Sequence, residues 1–234
     1  GNLLFTNWQN RRDSTINFRM PSKMEGNIDF AVDRFHWRDF DASDLEGMLI
    51  FADQRLQLNK LEFSAFKGKT YGQVQLENSQ MDRDFLLDSR LYMEHIDIKK
   101  VFETFHDFGQ QYITSRNLEG FINGEIQLST LMDNHFGINK NVLYTLSDII
   151  INDGALINFE PLQKMADFVS LSELKHVTFS QLSNRITIED QTVHIPEMEI
   201  NSSAFDINVQ GYHTFNNTFS YQVNLLLSQV LSKK

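Results

Sequence analysis

The segment AFDINVQGYHTF, residues 204–215, sets Phe205, Ile207, Val209, Gly211, His213 and Phe215 in one phase and Asp206, Asn208, Gln210 and Tyr212 in the other. A two-residue period belongs to a strand with one face buried and one in water. After Asn216-Asn217-Thr218 the alternation resumes as Phe219, Tyr221, Val223, Leu225 and Leu227. The pair predicts a hairpin, since asparagine accepts the left-handed backbone of tight turns. LEGFINGEIQL repeats the pattern, with Leu118, Gly120, Ile122, Gly124, Ile126 and Leu128 opposed to Glu119, Asn123, Glu125 and Gln127. Its two inward glycines permit curvature or a close approach. In VHIPEMEI, Val193 and Ile195 are in phase while Met198 and Ile200 are shifted by one, with Pro196-Glu197 at the slip; a bulge or an edge position fits.

Further short strands are expected in INFRM, NIDFAVDRFHW, the run from Leu45 to Glu77, and FLLDSRLYME. A unit of Leu-x-Gly, a polar turn, Leu-x-Leu-x-x-Leu-x-Phe, a glycine turn and Val-x-Leu returns loosely at Leu118 and from Leu146 to Val209, a weak internal repeat of strand pairs. Asp153-Gly154 reads as a turn between strands. Two helices interrupt the pattern. Ile98, Val101, Phe102, Phe105, Phe108 and Tyr112 follow helical spacing behind Asp97 as N-cap. From Pro161, at a tolerated first-turn position, Leu162, Met165, Ala166 and Val169 fall at i, i+3, i+4 and i+7. With three prolines and no linker, residues 1–234 read as one domain. The expected fold is mainly β with some helix (α+β): a highly twisted, curved antiparallel sheet forming a groove, with the two short helices packed on its apolar face.

Composition then narrows the function. A formal charge of -10 without a basic stripe argues against nucleic acid as a partner. The absence of cysteine removes thiolate nucleophiles and cysteine metal sites by inventory. Seven histidines never form His-x-x-x-His, and His95 with Asp97 is the nearest pairing; no metal and no cofactor are expected. MDRDF (Asp82, Asp84) and FDASDLEG (Asp41, Asp44, Glu46) are acidic clusters that read as solvated loops. MDNHFGINKN offers a few oxygen ligands but lacks the full alternation and closing glutamate of a calcium loop. No nucleophile elbow, P-loop or dinucleotide fingerprint occurs. What remains is a surplus of apolar strand face, to be packed on itself, a partner or a ligand.

The run IIINDGALINFEPLQKMADF, followed by LKHVTFSQLSNRITIEDQTVHIPEMEINSSAFDINVQGYHTFNNTFSYQVNLLLS, resembles the C-terminal region of AsmA-like proteins, a family related to TamB-type proteins. Asp153-Gly154, Pro161-Leu162, Gly211 with Phe215, and Tyr221 with Leu225 and Leu227 carry the resemblance, which is best over 118–234. It implies a Gram-negative envelope protein of outer-membrane biogenesis and phospholipid movement, with a β-groove in the periplasm tethered to the inner membrane by a segment outside this chain. The expected function is therefore non-enzymatic handling of phospholipid or another acyl-chain ligand. The alternative is a structural or assembly module with a filled core, acting on outer-membrane proteins by strand-edge contacts. The expected groove lining includes Leu56, Leu58, Phe63, Ile122, Ile126, Ile207 and Val209, and the expected helical cap is Leu162, Met165, Ala166 and Val169.

Overall fold

The computed structural model describes residues 19–20, 23, 25–79, 84–109, 111, 113–159, 175–202, 206–216 and 218–225. Eleven strands make one sheet: β1 (Gly26–Trp37), β2 (Phe40–Ala52), β3 (Arg55–Ala65), β4 (Gly68–Asn78), β5 (Phe85–Asp97), β6 (Leu118–Met132), β7 (Tyr144–Ile157), β8 (His176–Glu189), β9 (Thr192–Asn201), β10 (Asp206–Thr214) and β11 (Phe219–Leu225). Their order across the sheet is their order in the chain, and all neighbours are antiparallel, as expected when hairpin follows hairpin. The expected β10–β11 hairpin forms, with Val209 opposite Val223 and His213 opposite Phe219, so the two predicted faces are kept.

Several hairpins close on two residues. Asp53-Gln54, Phe66-Lys67 and Asp190-Gln191 have φ of 49 and 61, 52 and 65, and 47 and 57 degrees. Two successive positive φ values give the turn twist that matches the twist of the flanking strands.

Extra residues keep the two faces distinct where the sequence slips. Asp44 in β2, Lys60 in β3, His95 in β5 and Asp153 in β7 have φ of 53, 51, 54 and 50 degrees, and the register shifts beside each. A bulge of this kind absorbs one residue and restores the alternation. In β3 it leaves Leu56, Leu58, Leu61 and Phe63 in phase, because Lys60 takes up the slip. Asp153-Gly154 is therefore a bulge inside β7 and not the expected turn: Ile151 still faces Leu182, and Gly154 faces Phe179, on the same neighbouring strand. The slip at Pro196-Glu197 is the predicted bulge, since β9 shifts against β10 between the pairs Val209–Met198 and Gly211–Ile195. Near that proline β8 and β9 part. Only Thr187–Glu189 pair with Thr192–His194, and an isolated bridge joins Phe179 to Ser202.

One helix, α1 (Ile98–Thr104), follows β5. Asp97 caps it as predicted, its carboxylate accepting the Lys100 amide at 3.2 Å, and Lys67 Nζ stands 2.8 Å from the other oxygen. The helix stops well short of the expected Tyr112. His106, Asp107 and Phe108 turn to φ of 52, 52 and 54 degrees, and Asp107 instead receives the Ser115 amide at 2.7 Å. The expected second helix, Pro161 to Val169, lies outside the described residues. Asp97→Ala should cost about 1 kcal/mol by loss of the cap, read as a lower urea midpoint; an unchanged midpoint would show that Lys67 and the cap contribute nothing net.

Candidate functional site

Register arithmetic carries one row across the whole sheet. Ile28 lies opposite Leu49, which lies opposite Leu58, then Val74, Ser89 and Leu128. The row continues through Thr145, Ile188, Val193 and His213 to Phe219 on β11. Directly opposed residues share a face, so this face is unbroken from one edge strand to the other. Parallel rows add Phe51, Leu56, Leu76 and Leu87 on one side, and Leu91 and Ile126 on the other.

All seven expected lining residues fall on this face. Leu56, Leu58 and Phe63 come from β3, Ile122 and Ile126 from β6, and Ile207 and Val209 from β10. The structure does not gather them into one contact. Leu56 packs with Leu76 and Leu87 against buried Met20, Phe85 and Met132. Ile207, only 1% exposed, is enclosed with Val177, Phe179, Leu182 and Ile200, and Val209 packs on that cluster. Ile207 is thus core rather than open lining. Ile122 sits between Ile96 and Ile151. The expected cap residues Leu162, Met165, Ala166 and Val169 lie outside the described residues.

A second apolar feature escaped the sequence reading. Where β1, β3 and α1 end together, rings touch in series: Phe35 with Phe40, Phe40 with Phe63 and Phe66, Phe66 with Phe105, and Phe105 with Phe108, at centroid separations of 5.6–6.3 Å. Phe105 and Phe108 are 45% and 56% exposed, and Trp37, paired with Phe40, is 46% exposed under the Arg38 guanidinium. Twenty phenylalanines in the composition were the only hint. This chain of rings begins on the apolar face, at Phe40 and Phe63, and ends in solvent.

The opposite face is polar, and its pairs are those the register brings together. Arg55 bonds Glu77 at 2.9 and 3.3 Å, and Arg185 bonds Asp148 at 2.6 and 2.9 Å. Gln57 bonds Gln75, Gln210 bonds Gln222, and Tyr71 stacks on Tyr92 at 5.4 Å. The Arg185 hydrogen bond holds Asp148 below the usual carboxylate range. Two hollows lie on this side. One, of about 580 Å³, is lined by Arg185, His194, Gln210 and Tyr212, and the other, of about 650 Å³, by Gln57, Gln73, Arg90 and Gln127.

The acidic clusters have structural settings. Asp41, Asp44 and Glu46 stand in strand β2 rather than in the expected loop, with Asp41 2.7 Å from His36 and Asp44 accepting from Ser43. A strand tolerates them because its polar face is in water. Asp133 uses one oxygen on the amides of His135 and Gly137, at 2.7 and 2.8 Å. His95 does not join Asp97 in a site; it stacks on Phe121 at 3.9 Å. Among the described residues no group of three histidines or carboxylates converges.

His213 is the one histidine on the apolar row, between Val193 and Phe219, and burial lowers its pKa from the ordinary 6.5. The unfolded chain then takes up this proton at a higher pH than the folded one. Stability is full above about pH 6.5 and declines as pH falls toward the folded value. Urea midpoints should drop between pH 7.5 and 5.5, and His213→Gln should reduce that drop; an equal drop in both would assign the acid sensitivity elsewhere.

No family model, curated protein or solved structure matches the chain. No helix among the described residues is long and apolar enough to cross a membrane.

Proposed function

We propose that the chain is a non-enzymatic lipid-handling module of AsmA-like type. Its ligand in this reading is phospholipid, its place the periplasm, and its tether an inner-membrane segment outside this chain, in the service of outer-membrane biogenesis. The observation that carries the reading is the row of mostly apolar residues, interrupted by Ser89, Thr145 and His213, that runs in register from β1 to β11. In this reading the sheet twists and curves across its apolar face into a groove, with α1 and the segment 161–169 as covers. Acyl chains would lie along the strand faces, gaining about 0.8 kcal/mol per buried methylene, and headgroups would stay in water at an open seam. Such transfer requires no nucleophile and no cofactor. The exposed rings of Phe105 and Phe108, at the end of the ring series, would form the mouth through which an acyl chain reaches Phe63 and Leu58.

The purified chain should carry phospholipid detectable by mass spectrometry after solvent extraction. Leu58→Glu with Ile126→Glu should abolish that lipid while far-UV circular dichroism remains β-type. A wild-type chain free of lipid and silent toward fluorescent acyl probes would sink the proposal. The two filled clusters around Ile207 and Phe85 favour a second reading, an assembly module with a packed core that works by protein contacts; lipid-free protein that captures envelope proteins would select it.

A further inference from the structure

The edge strand β1 is twelve residues long, is paired on one side only among the described residues, and has every residue exposed except Phe30. Its apolar residues continue the sheet's apolar face: Ile28, Val32, Phe35 and Trp37 are 55, 39, 39 and 46% exposed. It contains no proline and no lysine, so two of the usual protections of a free edge are missing.

The strand also changes phase. Ile28, Phe30 and Val32 pair with Leu49, Gly47 and Leu45, whereas Phe35 and Trp37 pair with Ala42 and Phe40. Contacts of Phe40 with both Phe35 and Phe63 put these later residues on the same apolar face. The slip therefore falls at Asp33-Arg34. A regularly alternating strand added to this edge would match one half of β1 and present the wrong face to the other. A strand with its own slip at the same point would match both halves.

We propose that this edge takes a second copy of the chain, β1 against β1, antiparallel about a two-fold axis between Val32 and Asp33. That register sets Ile28 opposite Trp37 and Phe30 opposite Phe35 on the apolar face. On the polar face it sets Asp29 opposite His36 and diagonal to Arg34, an acid against two basic groups. A dyad is self-complementary by symmetry, and here the phase slip of one copy is answered by that of the other. The other edge, β11, is shorter and alternates regularly over its seven residues, so β1 paired with β11 would go out of phase halfway along. The product is one sheet of twice the width with its apolar face continuous across the junction.

The absence of cysteine makes the test direct. Light scattering of the full chain should give twice 27.3 kDa at high concentration. Val32→Asp, which sets a carboxylate directly opposite Asp33 of the other copy on both sides of the dyad, should return it to the single mass, and Val223→Asp on β11 should not. Under mild oxidation a mixture of Ile28→Cys and Trp37→Cys chains should form a mixed disulfide, because opposed residues have Cα atoms about 5 Å apart. Ile28→Cys alone should not, its two copies being separated by roughly 30 Å along the strands. A monomer at every concentration, a dimer broken by Val223→Asp but not by Val32→Asp, or cross-linking of Ile28→Cys to itself would each overturn the proposal. None of these readouts involves lipid, so the outcome is independent of the lipid-handling reading.

Discussion

Gly124→Ala should lower stability by roughly 2–4 kcal/mol, the combined scale of a glycine-only backbone conformation and an overpacked contact. Gly124 lies in the middle of β6 with φ of 150 degrees, and a Cβ there would run into the carbonyl oxygen of Asp148 and the Cα of Ile149 on β7. Neither obstacle is the far end of a flexible side chain, so relief requires the β6–β7 ladder itself to move. On the scale of a chain this size the melting temperature should fall by on the order of 10 °C. Gly26→Ala is the control, since nothing lies within 4 Å of a Cβ at that position, and it should leave the melting temperature unchanged. A near-neutral Gly124→Ala would mean that the two strands do not approach as described.

Ile207→Ala should cost about 2–5 kcal/mol, the range for cutting a large aliphatic side chain out of a closed core. Ile207 is enclosed by Val177, Phe179, Leu182 and Ile200, contributed by β8 and β9, which barely pair with each other near Pro196. Hydrophobic packing here does what the missing ladder bonds do elsewhere, so a cavity at Ile207 should loosen the attachment of β9 and β10. Ile28→Ala, on a residue 55% exposed at the edge, should stay within about 0.5 kcal/mol of the parent. The comparison also separates core from lining: Ile207→Ala should reduce the urea midpoint and leave acyl-probe affinity of the folded fraction unchanged. Equal midpoints for the two variants would place Ile207 outside the core.

The residues that could be read correctly from sequence were those whose two neighbours both obey the same period. In β6 and in the β10–β11 hairpin the apolar phase is uninterrupted, and the faces follow directly. Asp97 was legible as a cap because its carboxylate needs only the local amide of Lys100. Asp153-Gly154 misled for a physical reason. An aspartate that accepts positive φ and a glycine without a Cβ suit a hairpin turn, and they equally suit a bulge packed against Phe179; pairing of β7 with both β6 and β8 decides between them. At Phe66-Lys67 the expected glycine turn forms with its glycine, Gly68, just past the two central positions. The Phe105 and Phe108 spacing is helical, yet the chain leaves the helix at Phe105, and the rings meet Phe66 from another hairpin. No local pattern encodes such a meeting. The seven expected lining residues share one face because strand parity is local, whereas the enclosure of Ile207 depends on three strands at once.

The thin seam between β8 and β9 has a consequence for how the molecule comes apart. Since each described strand pairs only with its sequence neighbours among the described residues, order can spread along the chain with short loops to close and little entropy lost at each step. Cooperativity is then only as strong as the weakest junction, as in other linear arrays. With three paired positions and one bridge at that junction, its hold rests on the cluster of Val177, Phe179, Leu182, Ile200 and Ile207, and Ile207→Ala should let β9 to β11 open while β1 to β8 stay intact. Amide hydrogen exchange would register this as two classes of protected strand, with the division falling at the proline bulge.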